Sequence, residues 1–247
     1  MEVQKKIVWN ASNVAFFWNS YSRNPKNSHA WMSEGSGKAI AKEMRNILPR
    51  GFLSDQKSIC DWGCGTGSFA KALATQGHRV YGFDQVEVVS QISSGAESFI
   101  GVSNSNVIKN QELDLVYALE VIEHIIDSEI DKSFAEWRRI LKKDGFLLFT
   151  TPNEEDLQSN SIICPNCETQ FHSVQHVRSL SKLSISEMVG LQGFKVERVW
   201  LGEFFFATKR GHIIESLRKV WFIIRKIQAR KAGNSKPPHM MVLCKLK

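Results

Sequence analysis

Apolar residues in this chain come in short runs separated by longer amphipathic stretches, as expected when strands alternate with helices. From residue 34 to residue 48, Ile40, Met44, Ile47 and Leu48 recur at helical spacing, and Pro49-Arg50-Gly51 ends the pattern. Ser58 to Trp62 reads as a short buried strand, followed by a helix from about Ser68 to Gln76 that Gly77 stops. Arg79 to Asp84 reads as a second strand and Asp114 to Leu119 as a fourth. A helix spans about Asp131 to Leu141, and after a Lys143-Asp144-Gly145 turn the fifth strand runs from Phe146 to Thr151, ended by Pro152. Ser90 to Gln111 is rich in Ser, Asn and Gly, and the third strand is expected there, at about Ser98 to Val102. An insertion follows strand five (residues 153–179), then a helix near Ser184 to Leu191, a strand at Lys195 to Trp200 and a last strand at Met240 to Lys245. This order predicts an α/β fold with a mostly parallel, doubly wound sheet and its ligand at the carboxyl ends of the strands.

The first strand runs into Asp61-Trp62-Gly63-Cys64-Gly65-Thr66-Gly67-Ser68, a glycine turn that opens a helix. Glycines let backbone approach a ligand closely, and the free N–H groups of a helix start favour an anionic group. Asp84 closes the next strand, where a carboxylate suits ribose hydroxyls. Two nucleotide readings fail on spacing. A dinucleotide fingerprint needs a glycine where Ser68 stands, and the P-loop hinted at by Gly35-Ser36-Gly37-Lys38 has Met32 at its first glycine position and Ala39 after the lysine.

What remains, D-x-G-x-G-x-G, resembles the first motif of class I S-adenosylmethionine-dependent methyltransferases. The resemblance continues through Asp84, the segment from Leu113 to Ile125, and Ile140 to Pro152, and covers roughly residues 34–200. It implies a Rossmann-like, seven-stranded sheet whose last strand is antiparallel. It also implies that Asp61, Gly63, Cys64, Gly65 and Gly67 hold the methionine part of S-adenosylmethionine, that Asp84 holds the ribose, and that Leu119 and Glu120 border the donor. The family often places an acid after strand three, toward the adenine; here Ser103 and Asn104 stand there. By the same resemblance, residues 34–247 form the methyltransferase domain, and the aromatic segment 1–33 (Trp9, Phe16, Phe17, Trp18, Tyr21 and Trp31) is a lid over the site or simply packs on the domain.

Three further constellations bear on the acceptor. Glu120, Glu123 and His124 stand at i, i+3 and i+4 just past strand four, and would share one face if a helix began there. Two carboxylates and an imidazole suit proton transfer or a divalent cation. The Glu-x-x-Glu-His pattern is similar to that of ubiquinone-biosynthesis O-methyltransferases and of small-RNA 3′-terminal 2′-O-methyltransferases. Cys164, Cys167, His172 and His176 have the order C-x2-C-x4-H-x3-H, which a structural zinc ion could clamp. A second reading lends one of these histidines to the Glu120 cluster and leaves the cysteines as thiols. Residues 207–236 form a basic insertion before the last strand, with an amphipathic pattern over residues 213–231. Such a helix packs on its own domain or lies on an anionic membrane surface; RNA contact ranks below both.

Composition narrows the setting. The 247 residues carry a formal net charge of +7, and the surplus is concentrated between Lys209 and Lys236, where Glu215 is the single acid. No run is long and apolar enough to span a bilayer, and the first residues lack the apolar core of a signal peptide. Five cysteines, an odd number, fit a reducing compartment, so a cytoplasmic location is expected, with peripheral membrane contact as the variant reading. The function expected is S-adenosylmethionine-dependent O-methylation of a small-molecule, saccharide or lipid-linked acceptor. RNA 3′-terminal ribose methylation and a non-catalytic S-adenosylmethionine-binding role remain the alternatives.

Overall fold

The computed structural model describes residues 5–23, 37–85, 98–202 and 237–247. Seven strands form one sheet: β1 (Ser58–Trp62), β2 (Arg79–Phe83), β3 (Phe99–Val102), β4 (Leu113–Leu119), β5 (Leu141–Pro152), β8 (Phe194–Gly202) and β9 (His239–Leu246). Their order is β3-β2-β1-β4-β5-β9-β8. β9 runs antiparallel to both neighbours, and the pairs from β3 to β5 are parallel. Central strands such as β1 and β4 are buried nearly throughout, because helices cover both faces, so they read as apolar runs rather than alternations. The expected doubly wound sheet with an antiparallel last strand is the one observed.

Two clusters of buried side chains lie against the sheet. In one, α2 (Gly37–Arg45) and α3 (Ser68–Ala74) pack Ile40, Met44, Phe69 and Leu73 with Ile59 and Leu148. α2 approaches α3 so closely that a Cβ on Gly37 would stand 2.1 Å from the Ser68 carbonyl oxygen. In the other, α4 (Asp127–Ile140) and α5 (Lys182–Leu191) bring Phe134, Trp137, Ile185 and Val189 against Phe149, Phe194 and Val242. α4 begins four residues before the expected start, with Asp127 and Glu129 in its first turn and Arg138 and Arg139 in its last, charges that suit the helix dipole.

The start of β5 differs most from the sequence reading. The Lys143-Asp144-Gly145 turn is a bulge inside a longer β5, which leaves α4 directly at Leu141. Leu113 pairs with Leu141, and the ladder then shifts so that Leu115 pairs with Phe146. Gly145 is needed there because a Cβ would meet Leu141 Cδ2 at 2.9 Å and the Lys142 carbonyl oxygen at 3.0 Å. The insertion after β5 holds a small antiparallel hairpin, β6 (Ser161–Ile163) and β7 (Gln170–His172). The N-terminal segment docks on it: Lys6 bridges to Gln170, Trp9 meets Phe171 edge-on, and α1 (Ala11–Ser22) follows. Trp31 and the basic insertion, including residues 213–231, lie outside the described residues.

Candidate active site

A cavity of about 800 Å³ opens at the carboxyl ends of β1, β2, β4 and β5 and has two chemically distinct ends. At one end is the glycine turn. Gly63, Gly65 and Gly67 all have left-handed backbone, with φ of 80°, 51° and 71°, which explains why glycine recurs at every second position. The turn is tied to β2: the N–H groups of Gly63 and Cys64 donate to the Phe83 carbonyl at 2.7 and 3.0 Å, and Gly65 N–H donates to Asp84 Oδ2 at 2.8 Å. A Cβ on Gly63 would also strike Val121 Cγ2 at 2.5 Å, so the turn is packed against the loop that follows β4.

Asp61 is buried beneath this turn. Burial and the nearby Asp84 carboxylate raise its pKa to about 7, partly offset by the Ala70 backbone N–H. Burial likewise raises the Cys64 thiol well above its ordinary range. Asp61, Gly63, Cys64, Asp84 and Leu119 all line the cavity.

At the other end stand Glu120, Glu123 and His124. The helix that could have aligned them is absent: residues 120–126 form a turn, and α4 starts only at Asp127. The turn brings them together by other means. Glu120 adopts a left-handed φ of 55°, with its N–H shared between the Thr150 carbonyl at 3.1 Å and hydroxyl at 3.0 Å. Left-handed backbone at a bulky residue is uncommon and concentrates at functional sites.

Glu123 is 1% exposed, and neither of its carboxylate oxygens has a well-aligned hydrogen-bond partner, although Thr151 lies nearby. Burial, reinforced by the charge of Glu120, holds the Glu123 pKa well above the carboxylate range, and burial raises Glu120 too. Burial, and next His176, push the His124 pKa down to about 3, which keeps this imidazole neutral.

The folded chain adds residues that sequence spacing did not single out. His239, at the start of β9, places Nε2 3.6 Å from Glu120 Oε2. Glu155, in the loop after β5, lies 2.5 Å from His176 Nδ1 and 3.4 Å from His172 Nε2. Burial opposes the Glu155 charge, but the hydrogen bond from His176 and the adjacent imidazoles outweigh it and bring its pKa below the usual value. Gln175 is fully buried and acts as a latch: its Oε1 accepts from the Trp18 indole N–H at 2.7 Å, and its Nε2 donates to the His124 carbonyl at 3.0 Å. Trp18 in turn meets the His124 ring edge-on at 4.9 Å, so α1 walls this end of the cavity. None of these positions has a diagnostic spacing in the sequence, and Glu155 stands well upstream of the His-x3-His pair.

The four proposed zinc ligands are not gathered into one site. Among the described residues, the groups of three or more whose ligand atoms lie within 4.8 Å of one another are Glu123–His124–His176 and Glu155–His172–His176, and neither contains a cysteine. His172 is buried and stacks on His176 with ring centroids 4.5 Å apart, whereas Cys164 and Cys167 sit at the outer end of the β6–β7 hairpin. The physical reason is the hairpin: the cysteines lie in its turn, while His172 at the far end of β7 and His176 beyond it reach Glu155. Hydrogen bonds from Thr169 and Cys164 lower the exposed Cys167 thiol to about 7. The second reading of this motif, a histidine lent to the Glu120 cluster, matches the geometry.

The family profile described as "Methyltransferase domain" matches residues 32–199, well over half of the chain. A probable S-adenosylmethionine-dependent methyltransferase of Mycolicibacterium smegmatis is 26% identical over 145 residues, 57% of this chain and 53% of that protein. The mitochondrial ubiquinone biosynthesis O-methyltransferase of Bos taurus is 34% identical over 119 residues, 42% of this chain and 31% of that protein. The matched region thus spans about a third to a half of the length of these relatives. Among solved structures, Burkholderia thailandensis 1,6-didemethyltoxoflavin-N1-methyltransferase, with bound S-adenosylhomocysteine, superposes with a TM-score of 0.65 at 11% identity, covering 99% of this chain and 93% of that one. A methyltransferase from Archaeoglobus fulgidus gives 0.56 at 17% identity, covering 85% and 95%. At these identities the superpositions speak to fold, and with the family profile they place this chain in the methyltransferase domain family, with the class I fold of S-adenosylmethionine-dependent enzymes.

Proposed function

We propose that the protein transfers the sulfonium methyl of S-adenosylmethionine to an oxygen of a small-molecule acceptor. The observation that carries this reading is that one cavity joins Asp61, Gly63 and Asp84 at one end to Glu120, Glu123 and His124 at the other. In this assignment Asp84 takes the ribose hydroxyls, and Asp61 with the glycine turn takes the methionine part. Leu119 and Glu120 border the methyl group. The bond from sulfur to methyl breaks as the new oxygen–methyl bond forms, and the hydroxyl proton leaves to a neighbouring carboxylate. The positive sulfur already activates the donor, so alignment within the cavity supplies much of the rate. Glu120, whose pKa burial raises to about 7, is the proton acceptor, and Glu123, held well above the carboxylate range beside it, orients the acceptor by hydrogen bonding. The name of the bovine relative supports oxygen as the acceptor atom; that of the Burkholderia neighbour makes nitrogen the competing outcome.

The oxygens of buried Glu123, which lack a well-aligned hydrogen-bond partner, favour a second reading of the acceptor end. With His124 and His176 they form an oxygen–nitrogen–nitrogen set that fits a divalent cation. A cation there would lower the pKa of an acceptor hydroxyl and orient it.

The test is calorimetric titration with S-adenosylmethionine, followed by transfer of labelled methyl to panels of phenolic, sugar and amine acceptors, with and without chelator. Absence of S-adenosylmethionine binding refutes the whole reading, and transfer confined to amines refutes the choice of oxygen. Activity that survives exhaustive chelation removes the cation.

A further inference from the structure

The Glu155–His172–His176 trio resembles a metal site in its spacing, but the hydrogen bonds around it show a different device. His172 Nδ1 faces two backbone N–H groups, those of Val174 at 3.4 Å and His176 at 3.2 Å. A ring nitrogen that accepts carries no proton, so the proton of neutral His172 sits on Nε2. That nitrogen lies 3.4 Å from Glu155 Oε1 without an aligned hydrogen bond, so His172 presents a proton and no lone pair on this side. The other carboxylate oxygen, Oε2, lies 2.5 Å from His176 Nδ1. A carboxylate only accepts, so Nδ1 of His176 carries a proton, and in the neutral ring Nε2 is left with the lone pair.

His176 therefore directs its Nδ1 proton at Glu155, while His172, whose Nδ1 lone pair is engaged by two backbone N–H groups, has none for a cation between them. His176 also lines the cavity, 4.7 Å from His124 between ring centroids, and offers a nitrogen within 4.8 Å of the ligand atoms of Glu123 and His124.

We infer that Glu155 and His172 are positioning residues that hold His176 in its Nδ1–H tautomer, so that its Nε2 lone pair faces the acceptor end of the cavity. This adds His176 to the groups that touch the acceptor, and it rests on the acceptor assignment made above only for its catalytic meaning. The lone pair accepts a hydrogen bond from an acceptor hydroxyl, or ligates a cation if one is bound there. In either case the device selects acceptors that present a proton or a cation and disfavours those that present an anion. A carboxylate that orients a histidine through its distal ring nitrogen is worth roughly 10–100-fold in activity or cation affinity where such partners have been removed.

The tautomers can be read directly, without acceptor or donor, from long-range proton–nitrogen correlation spectra of the full chain labelled with 15N-histidine. His172 and His176 are assigned by the signals lost in His172→Gln and His176→Gln. The expected spectrum shows His176 protonated at Nδ1 and unprotonated at Nε2, with the reverse pattern for His172, and in Glu155→Gln the His176 preference is lost. A native His176 in the Nε2–H form, or an imidazolium that persists across the neutral range, overturns the inference whether or not the variants fold. A second readout uses any acceptor that the native enzyme methylates: Glu155→Gln should lower kcat by roughly 10–100-fold with S-adenosylmethionine affinity unchanged. An unchanged kcat overturns the inference. If no oxygen acceptor is methylated while the tautomers are as stated, the acceptor assignment falls and the positioning of His176 stands.

Discussion

Gly63→Ala tests how the glycine turn is held against the loop after β4. Gly63 has a φ of +80°, and a Cβ built there stands 2.5 Å from Val121 Cγ2 and 3.6 Å from Cγ1. Left-handed backbone costs a residue with a Cβ roughly 1–2 kcal/mol. Carbon atoms pack comfortably at about 3.5–4.0 Å, so the turn or Val121 must move by ~1 Å. Overpacking of this kind costs about 1–3 kcal/mol. The two contributions sum to roughly 2–5 kcal/mol, divided between folding and the geometry of the turn. In a chain of this size each kcal/mol lowers Tm by about 2–4 °C. Thermal unfolding should therefore move down by on the order of 10 °C, and calorimetric affinity for S-adenosylmethionine should weaken at least about tenfold, a change of ~1.4 kcal/mol.

Val121→Ala separates the two causes. In the double variant the steric part disappears and the backbone part stays, so it should recover about 1–3 kcal/mol beyond additivity. Native Tm and affinity in Gly63→Ala would refute the reasoning. So would a double variant no better than the sum of its parts.

Three further outcomes are expected. Asp84→Ala removes the acceptor of the Gly65 N–H and the charge assigned to the ribose. Charge-assisted bonds of this type contribute about 1.5–3 kcal/mol each, so the Kd for S-adenosylmethionine should rise at least about tenfold, and an unchanged Kd contradicts the assignment. For Asp61, raised to about 7 in the free protein by burial and by Asp84, a bound cationic donor favours the ionised form and expels the proton. Affinity should then fall by up to about tenfold per pH unit as pH drops below that value and stay level above it; the slope should vanish in Asp61→Asn, and a flat native profile would exclude the role. Gln175→Ala removes the bonds to the Trp18 indole and the His124 carbonyl, at a cost of about 1–3 kcal/mol. It should lower Tm and make the segment before residue 23 more easily cut by protease, and a native digestion pattern would show that Gln175 is not a latch.

Strand one was legible to the residue from its apolar run, and β2 and β4 to within one residue, because central parallel strands are buried on both faces. β3 fell at Phe99–Val102 despite its polar surroundings, since Phe99 and Val102 are the buried positions. The start of β5 was misread because Lys142, Lys143 and Asp144 look like a turn, whereas in the fold they ride on a bulge beside Leu113. The C-x2-C-x4-H-x3-H motif misled for a related reason. Spacing measures distance along the chain, and a hairpin that holds the cysteines in its turn and the histidines at and beyond the far end of β7 divides the motif in two.

The end proposed for the donor was legible in the sequence to a degree that the end proposed for the acceptor was not. Asp61, Gly63, Gly65, Gly67 and Asp84 belong to two adjacent strands and the turn leaving one of them, so local backbone geometry dictates which residue types can stand there. At the acceptor end, Glu120 follows β4, Glu155 follows β5, His176 follows β7 and His239 opens β9. Their meeting depends on the strand order that sets β9 beside β5, and on how far the insertion folds back over the sheet. A turn constrains residues within a few positions of one another, whereas a cavity between chain segments constrains residues that only packing brings together.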